Sequence, residues 1–138
     1  MGRILALDYG KRRTGIAVTD PLQIIANGLT TVETKQLMAF LTDYLARECV
    51  EQIVVGLPTQ TDGSPSENQA RVRSFTGQLK KMFPDVPVAF YDERYTSVIA
   101  QRVILDSGVK KKARRENKGL VDEISATIIL QDFLQAMR

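Results

Sequence analysis

The stretch Arg3-Ile4-Leu5-Ala6-Leu7-Asp8-Tyr9-Gly10-Lys11-Arg12-Arg13-Thr14-Gly15-Ile16-Ala17-Val18-Thr19 decides the architecture. The apolar run Ile4 to Leu7 reads as a buried strand, placed at the centre of a sheet. Tyr9 to Arg12 form a turn, in which Gly10 is free to take a positive φ. Residues 13–19 form a second strand, close enough to pair with the first as a hairpin. Asp20-Pro21 breaks it. The first strand ends in a carboxylate, Asp8, and strand ends are where open α/β sheets place their sites.

Working outward, residues 24–33 read as a third strand, with Ile24, Ile25, Leu29 and Val32. The period then changes. Leu37, Phe40, Leu41, Tyr44 and Leu45 make an i, i+3, i+4 stripe that predicts an amphipathic helix over 35–49. Ile53-Val54-Val55 marks a strand over 51–56, followed by a loop over 57–66. Ser66 is positioned to cap a helix reaching about 83, which Pro84-Asp85 stops. Residues 86–92 form another strand, 96–106 a helix ended by Gly108, and 120–136 a final helix. The order βββ–α–β–α–β–α–α predicts one α/β domain over 1–138, a mixed five-stranded sheet with helices on both faces.

Composition narrows the chemistry. The chain has 138 residues, 43% hydrophobic and 25% charged, an ordinary globular balance. There is no histidine, which removes imidazole bases, Ser-His-Asp and Cys-His nucleophiles and His-ligated metals. The one cysteine, Cys49, excludes an internal disulfide and is expected to be a small buried hydrophobe. No segment approaches a membrane span, and Met1-Gly2-Arg3 runs straight into a strand, so a cytoplasmic protein without a signal peptide is expected.

The net charge of +3 is unevenly spread. Residues 110–118 hold six basic residues and one acidic, a local +5 that leaves −2 for the rest of the chain. Such a patch suits a phosphate backbone. Lys110, Lys111, Lys112, Arg114, Arg115 and Lys118 are the candidate contacts, and the run ends four residues before a carboxylate, Asp122.

Three carboxylates end or open apolar segments: Asp8, Glu93 after the strand 86–92, and Asp122 before the run from Ile124 to Leu134. Individually each has a plain structural role: a turn for Asp8, an ion pair with Arg94 for Glu93, a helix-dipole partner for Asp122. If the strands at 3–8, 52–57 and 86–92 are parallel neighbours, Asp8 and Glu93 emerge at one sheet edge, and the last helix can bring Asp122 to them. Three such carboxylates repel one another unless cations are bound. An all-oxygen set without imidazole suits Mg²⁺ or Mn²⁺. Two such ions roughly 4 Å apart suit the hydrolysis of a phosphodiester, with Asp8 as the bridging ligand.

The runs Leu5 to Gly15, Ile53-Val54-Val55-Gly56-Leu57-Pro58 with Asp62-Gly63, Asp92-Glu93-Arg94-Tyr95-Thr96 and Lys118-Gly119-Leu120-Val121-Asp122 closely resemble the YqgF family. That family is also called RuvX, or Holliday-junction-resolvase-like. The resemblance runs in order from about residue 3 to 134. It implies a ribonuclease H-like fold and a nuclease acting in maturation of the 5′ end of 16S ribosomal RNA, with branched DNA as the alternative substrate. It places the family's acidic positions on Asp8, Glu93 and Asp122. Related resolvases often carry a fourth acid one helical turn later, where this chain has Ser125. Gly15 either admits a phosphate or eases strand packing; Arg94 either binds the backbone or holds Glu93; Lys118 either contacts the scissile phosphate or completes the basic run.

Two other readings compete. Actin-like and sugar-kinase ATPases share an Asp-x-Gly turn, but they need a second lobe and typically exceed about 300 residues. A non-catalytic RNA-binding module is the stronger rival, against which stands the full set of three acids. A symmetric junction would call for a dimer; monomer and weak dimer both stay open.

Overall fold

A computed structural model describes residues 2–57, 68–92 and 118–137, without the side chains of residues 92, 118–122 and 137. Five strands form one sheet: β1 (Arg3–Tyr9), β2 (Arg13–Thr19), β3 (Ala26–Glu33), β4 (Val50–Leu57) and β5 (Val88–Asp92). Their spatial order is β3-β2-β1-β4-β5. β1 is antiparallel to β2 and β2 to β3, whereas β1–β4 and β4–β5 are parallel. The helices are α1 (Leu37–Arg47), α2 (Gln69–Met82) and α3 (Lys118–Met137); a short 3-10 turn over Thr34–Gln36 leads into α1.

The mixed sheet follows from connection length. The three-residue link between β1 and β2 permits only an antiparallel neighbour. β4 returns parallel to β1 after a crossover that contains α1.

Side-chain alternation sorts the core into two layers. Leu5, Leu7, Ile16, Val18, Ile53 and Val55 pack against Leu37, Leu41 and Tyr44 of α1 and Val72, Phe75 and Leu79 of α2. Ile4, Ala6, Ala17, Ala26 and Val54 pack against Ala126, Ile129, Leu130 and Leu134 of α3. Ile4 to Leu7 are all essentially fully buried, as the apolar run predicts for a central strand. The α3 side is built from smaller residues, so that helix lies close to the sheet. A Cβ on Gly28 of β3 would stand 2.5 Å from Oε1 and 2.8 Å from Cγ of Glu123 on α3.

Several boundaries move. The third strand begins at Ala26, not residue 24, because the Asp20 carboxylate captures the N–H groups of Ile24 and Ile25, each at 2.8 Å. Those two residues are left 54% and 59% exposed. The turn places Gln23 at φ 60°, and its side-chain amide donates to the Gly2 carbonyl at 2.8 Å and to Glu51 Oε2 at 2.7 Å. Cys49 is exposed rather than buried. α1 ends at Arg47, which leaves Cys49 in the connection to β4, its carbonyl accepting from the Arg3 N–H at 2.8 Å. Asn68, not Ser66, stands at the cap position of α2; Ser66 lies outside the described residues, as does the expected helix over 96–106. α3 begins at Lys118, two residues before the expected start, so Asp122 sits past its first turn.

Candidate nucleic-acid site at the carboxyl end of β1

β1 ends with Asp8 and Tyr9, and three neighbours immobilise that end. Across the antiparallel ladder Asp8 faces Gly15 and Tyr9 faces Thr14. On the α2 side, Asn68 donates from its amide to the Tyr9 carbonyl at 2.9 Å, and the Tyr9 ring stacks on Phe75 at 4.7 Å. Beyond the strand, the Thr34 hydroxyl donates to the Gly10 carbonyl at 2.6 Å and the Thr34 N–H to the Arg12 carbonyl at 2.9 Å. The Thr14 and Thr34 hydroxyls lie 3.0 Å apart, in hydrogen-bond contact. The turn closes so tightly that a Cβ on Gly10 would collide with the Arg13 carbonyl oxygen, which is why glycine stands there.

Asp8 shares its sheet face with Ile4 and Ala6, the face that α3 covers. It is partly buried. On α3, position 122 lies one turn before Ala126, which packs on the same face. The neighbouring Glu123 lies against Gly28. Gly28 pairs with Ala17, and Ala17 with Ala6, so α3 starts over a row two residues below Asp8 and two strands across. In the plane of the sheet that offset is roughly 12 Å. The helix that carries Asp122 therefore crosses the same sheet face that holds Asp8.

Among the predicted site residues, the structure places Asp8 and Gly15 opposite each other and sets the backbones of Lys118 and Asp122 at the start of α3. Glu93, Arg94, Lys110, Lys111, Lys112, Arg114 and Arg115 lie outside the described residues. Glu93 directly follows Asp92, the last residue of β5, which pairs with Leu57. Ser125 is buried, a packing position in α3. Among the described residues no three carboxylates or thiols form a metal-binding cluster. What the donor set offers is chemical: carboxylate oxygens alone, the class that hard divalent ions accept.

A cleft of about 490 Å³ opens beside the site, lined by Lys11, Arg12, Arg13, Glu33 and Lys35. Sequence reading did not assign Thr14, Thr34 or Asn68, whose partners lie 20 and 59 positions away. The one local signal was Thr34, a hydroxyl residue directly after a strand.

The model of the RuvX family, described as Holliday junction resolvase, matches residues 2–136. A protein from Phocaeicola vulgatus named "Putative pre-16S rRNA nuclease" is 59% identical over 138 residues, all of this chain and 99% of the relative. Proteins of the same name from Flavobacterium johnsoniae and Porphyromonas gingivalis are each 54% identical, over 138 and 134 residues. These alignments cover 99% and 96% of the two relatives and 100% and 97% of this chain. Among solved structures, Archaeoglobus fulgidus Pelota aligns at 12% identity and a TM-score of 0.44, over 99% of this chain and 37% of its own; at that distance it bears no functional argument.

Proposed function

The chain belongs to the RuvX family, and from that membership we propose a divalent-metal-dependent nuclease that hydrolyses phosphodiester bonds in maturing the 5′ end of pre-16S ribosomal RNA. The observation that carries this reading is the position of Asp8. It is a carboxylate at the end of a central strand, opposite a glycine, on the face covered by the helix that holds Asp122. The ribonuclease H-like fold of the family matches the mixed five-stranded sheet and its helices on both faces.

In this reading residues 1–138 act as one catalytic unit, and Asp8, Glu93 and Asp122 hold Mg²⁺ or Mn²⁺. A divalent ion supplies Lewis-acid stabilisation of the charge that develops on the phosphate. Asp8 positions by rigidity: its strand is pinned through Tyr9 and Gly10 on either flank, so little reorganisation accompanies reaction. Gly15, directly opposite Asp8, places no side chain beside that carboxylate. Lys110, Lys111, Lys112, Arg114, Arg115 and Lys118 neutralise the backbone, with Arg94 beside Glu93. The protein works in the cytoplasm as a monomer or weak dimer. Among the described residues no helix is long and apolar enough to cross a membrane.

A second reading, cleavage of a four-way DNA junction, is favoured by the description of the family. The test is cleavage by purified protein of a pre-16S RNA fragment, a DNA of the same sequence and a four-way junction, each with Mg²⁺, Mn²⁺ or excess EDTA. RNA cleavage that requires the metal is expected. Turnover that persists in EDTA refutes metal dependence, and cleavage confined to the junction transfers the function to the second reading.

A further inference from the structure

We propose that Lys11, Arg12 and Lys35 form a preorganised clamp for the nucleic-acid backbone, separate from the basic run at 110–118 and set beside Asp8. The inference deepens the nuclease reading and rests on it. Three observations carry it.

The first is charge at one place. Among the described residues, the cleft gathers Lys11, Arg12, Arg13 and Lys35 with a single acid, Glu33. This +3 excess comes from two separate segments, the β1–β2 turn and the residues that follow β3. Chain order alone does not bring Lys35 to Lys11.

The second is location. Lys11 is three residues beyond Asp8, and the strands on either side are in register there: Asp8 faces Gly15, and Arg13 faces Glu33. A backbone whose scissile phosphate lies at Asp8 and which continues towards β2 and β3 passes over this cleft.

The third is rigidity. Thr34 grips the turn by two hydrogen bonds, to the Gly10 and Arg12 carbonyls. With those carbonyls engaged, the turn presents its cationic side chains outward, and Lys11 and Arg12 are exposed. Binding then orders side chains but little backbone, the usual means by which a preformed site gains affinity. The ion pair between Lys35 and Glu33, 3.4 Å long with both side chains largely exposed, is of a kind worth about 0–1 kcal/mol. A phosphate can displace it readily.

Glu33 gives the clamp a signature of opposite sign. Among the described residues it is the one negative group in the cleft, and it repels a phosphate backbone, so its neutralisation strengthens binding.

The experiment measures fluorescence anisotropy of a labelled single-stranded RNA against protein carrying Asp8→Asn, so that no cleavage intrudes. Parent, Lys11→Ser/Arg12→Ser/Lys35→Ser and Glu33→Gln are titrated across a salt series. Each lost phosphate contact on a single strand flattens the slope of log K against log salt by about 0.7, so three contacts flatten it by roughly 2 and weaken binding about a hundredfold near 0.1 M salt. Glu33→Gln is expected to bind severalfold tighter than the parent. If the parent binds RNA while the triple variant keeps its affinity and slope, the clamp is overturned and the nuclease reading stands. A tightening by Glu33→Gln supports the clamp even if the triple variant misfolds, and unchanged or weaker binding by it counts against. A parent that binds no RNA overturns both. Inorganic phosphate is added at matched ionic strength: displacement of RNA at equal phosphate concentration would assign the cleft to small anions and overturn the backbone clamp.

Discussion

Asp8 stands directly opposite Gly15 in the antiparallel ladder of β1 and β2. Directly opposed residues on one sheet face place their Cβ atoms about 5 Å apart, so any other residue at position 15 would stand beside the Asp8 carboxylate. Gly15→Val is expected to lower cleavage about a hundredfold by displacing what binds at Asp8. Because Gly15 is buried, the added side chain should lower thermal stability as well; equal kcat in variant and parent would make Gly15 a packing residue.

Asp8→Asn removes the charge and keeps the shape. Cleavage of the RNA fragment should fall about a thousandfold or more, the loss expected when several kcal/mol of metal-assisted stabilisation disappear. RNA affinity should stay within a few fold of wild type. A variant that loses binding and cleavage in parallel would place Asp8 in substrate binding.

Gly28 of β3 lies against the flexible Glu123 side chain of α3. Gly28→Val should destabilise the fold by at most about 1 kcal/mol in urea titrations, because that side chain can swing aside. Adding Glu123→Ala removes the atoms that the introduced valine side chain would meet and should recover most of that loss. Absence of recovery would show that backbone, not Glu123, sets the approach.

Gln23 holds φ 60° and repays that strain with its bonds to Gly2 and Glu51. Gln23→Ala loses the bonds and keeps the strain, whereas Gln23→Gly loses the bonds and relieves it. The glycine variant should therefore be the more stable of the two by about 1–2 kcal/mol, read from chemical denaturation. An alanine variant as stable as the glycine variant would contradict the assigned backbone.

Asp20 is held below the usual carboxylate range by backbone N–H bonds, that from Ile25 foremost, with Ile24 and Leu22 adding to it. A lowered folded pKa means a contribution present at neutral pH and lost as pH falls from about 4, the unfolded value, through the folded one. Wild type should therefore exceed Asp20→Asn in urea midpoint at pH 7, and the gap should narrow below pH 4. A gap independent of pH would assign the turn to geometry rather than to the charged form.

The sheet was legible because its signals are local. Ile4 to Leu7 declare a central strand, and a three-residue turn leaves an antiparallel partner as the only outcome. The helices α1 and α2 announced themselves by their apolar stripes. Ile24 and Ile25 misled for a physical reason: apolar composition predicts a strand, but Asp20 claims the N–H groups a ladder would need. Cys49 misled because burial depends on where a helix ends, and the periodic signal fades before the end is reached. Of the site, Asp8 and Gly15 were readable from a strand end and a motif. The supports were not: Thr34 and Asn68 act through hydrogen bonds to residues distant in sequence.

The sheet face under α3 is made by residues between Ile4 and Tyr91, yet its cover comes from 118–137. On the ribosome the strands emerge long before the helix. Until then the alanines, Ile4 and Val54 present a bare apolar surface of the sort that chaperones recognise. The same helix carries Asp122, so the step that hides this surface is also the step that completes the proposed acidic set. A nascent chain therefore has no route to a finished site before it has a finished core. Hydrogen exchange in a chain ended before residue 118 reads this directly, and native-like protection of β1 there would disprove it.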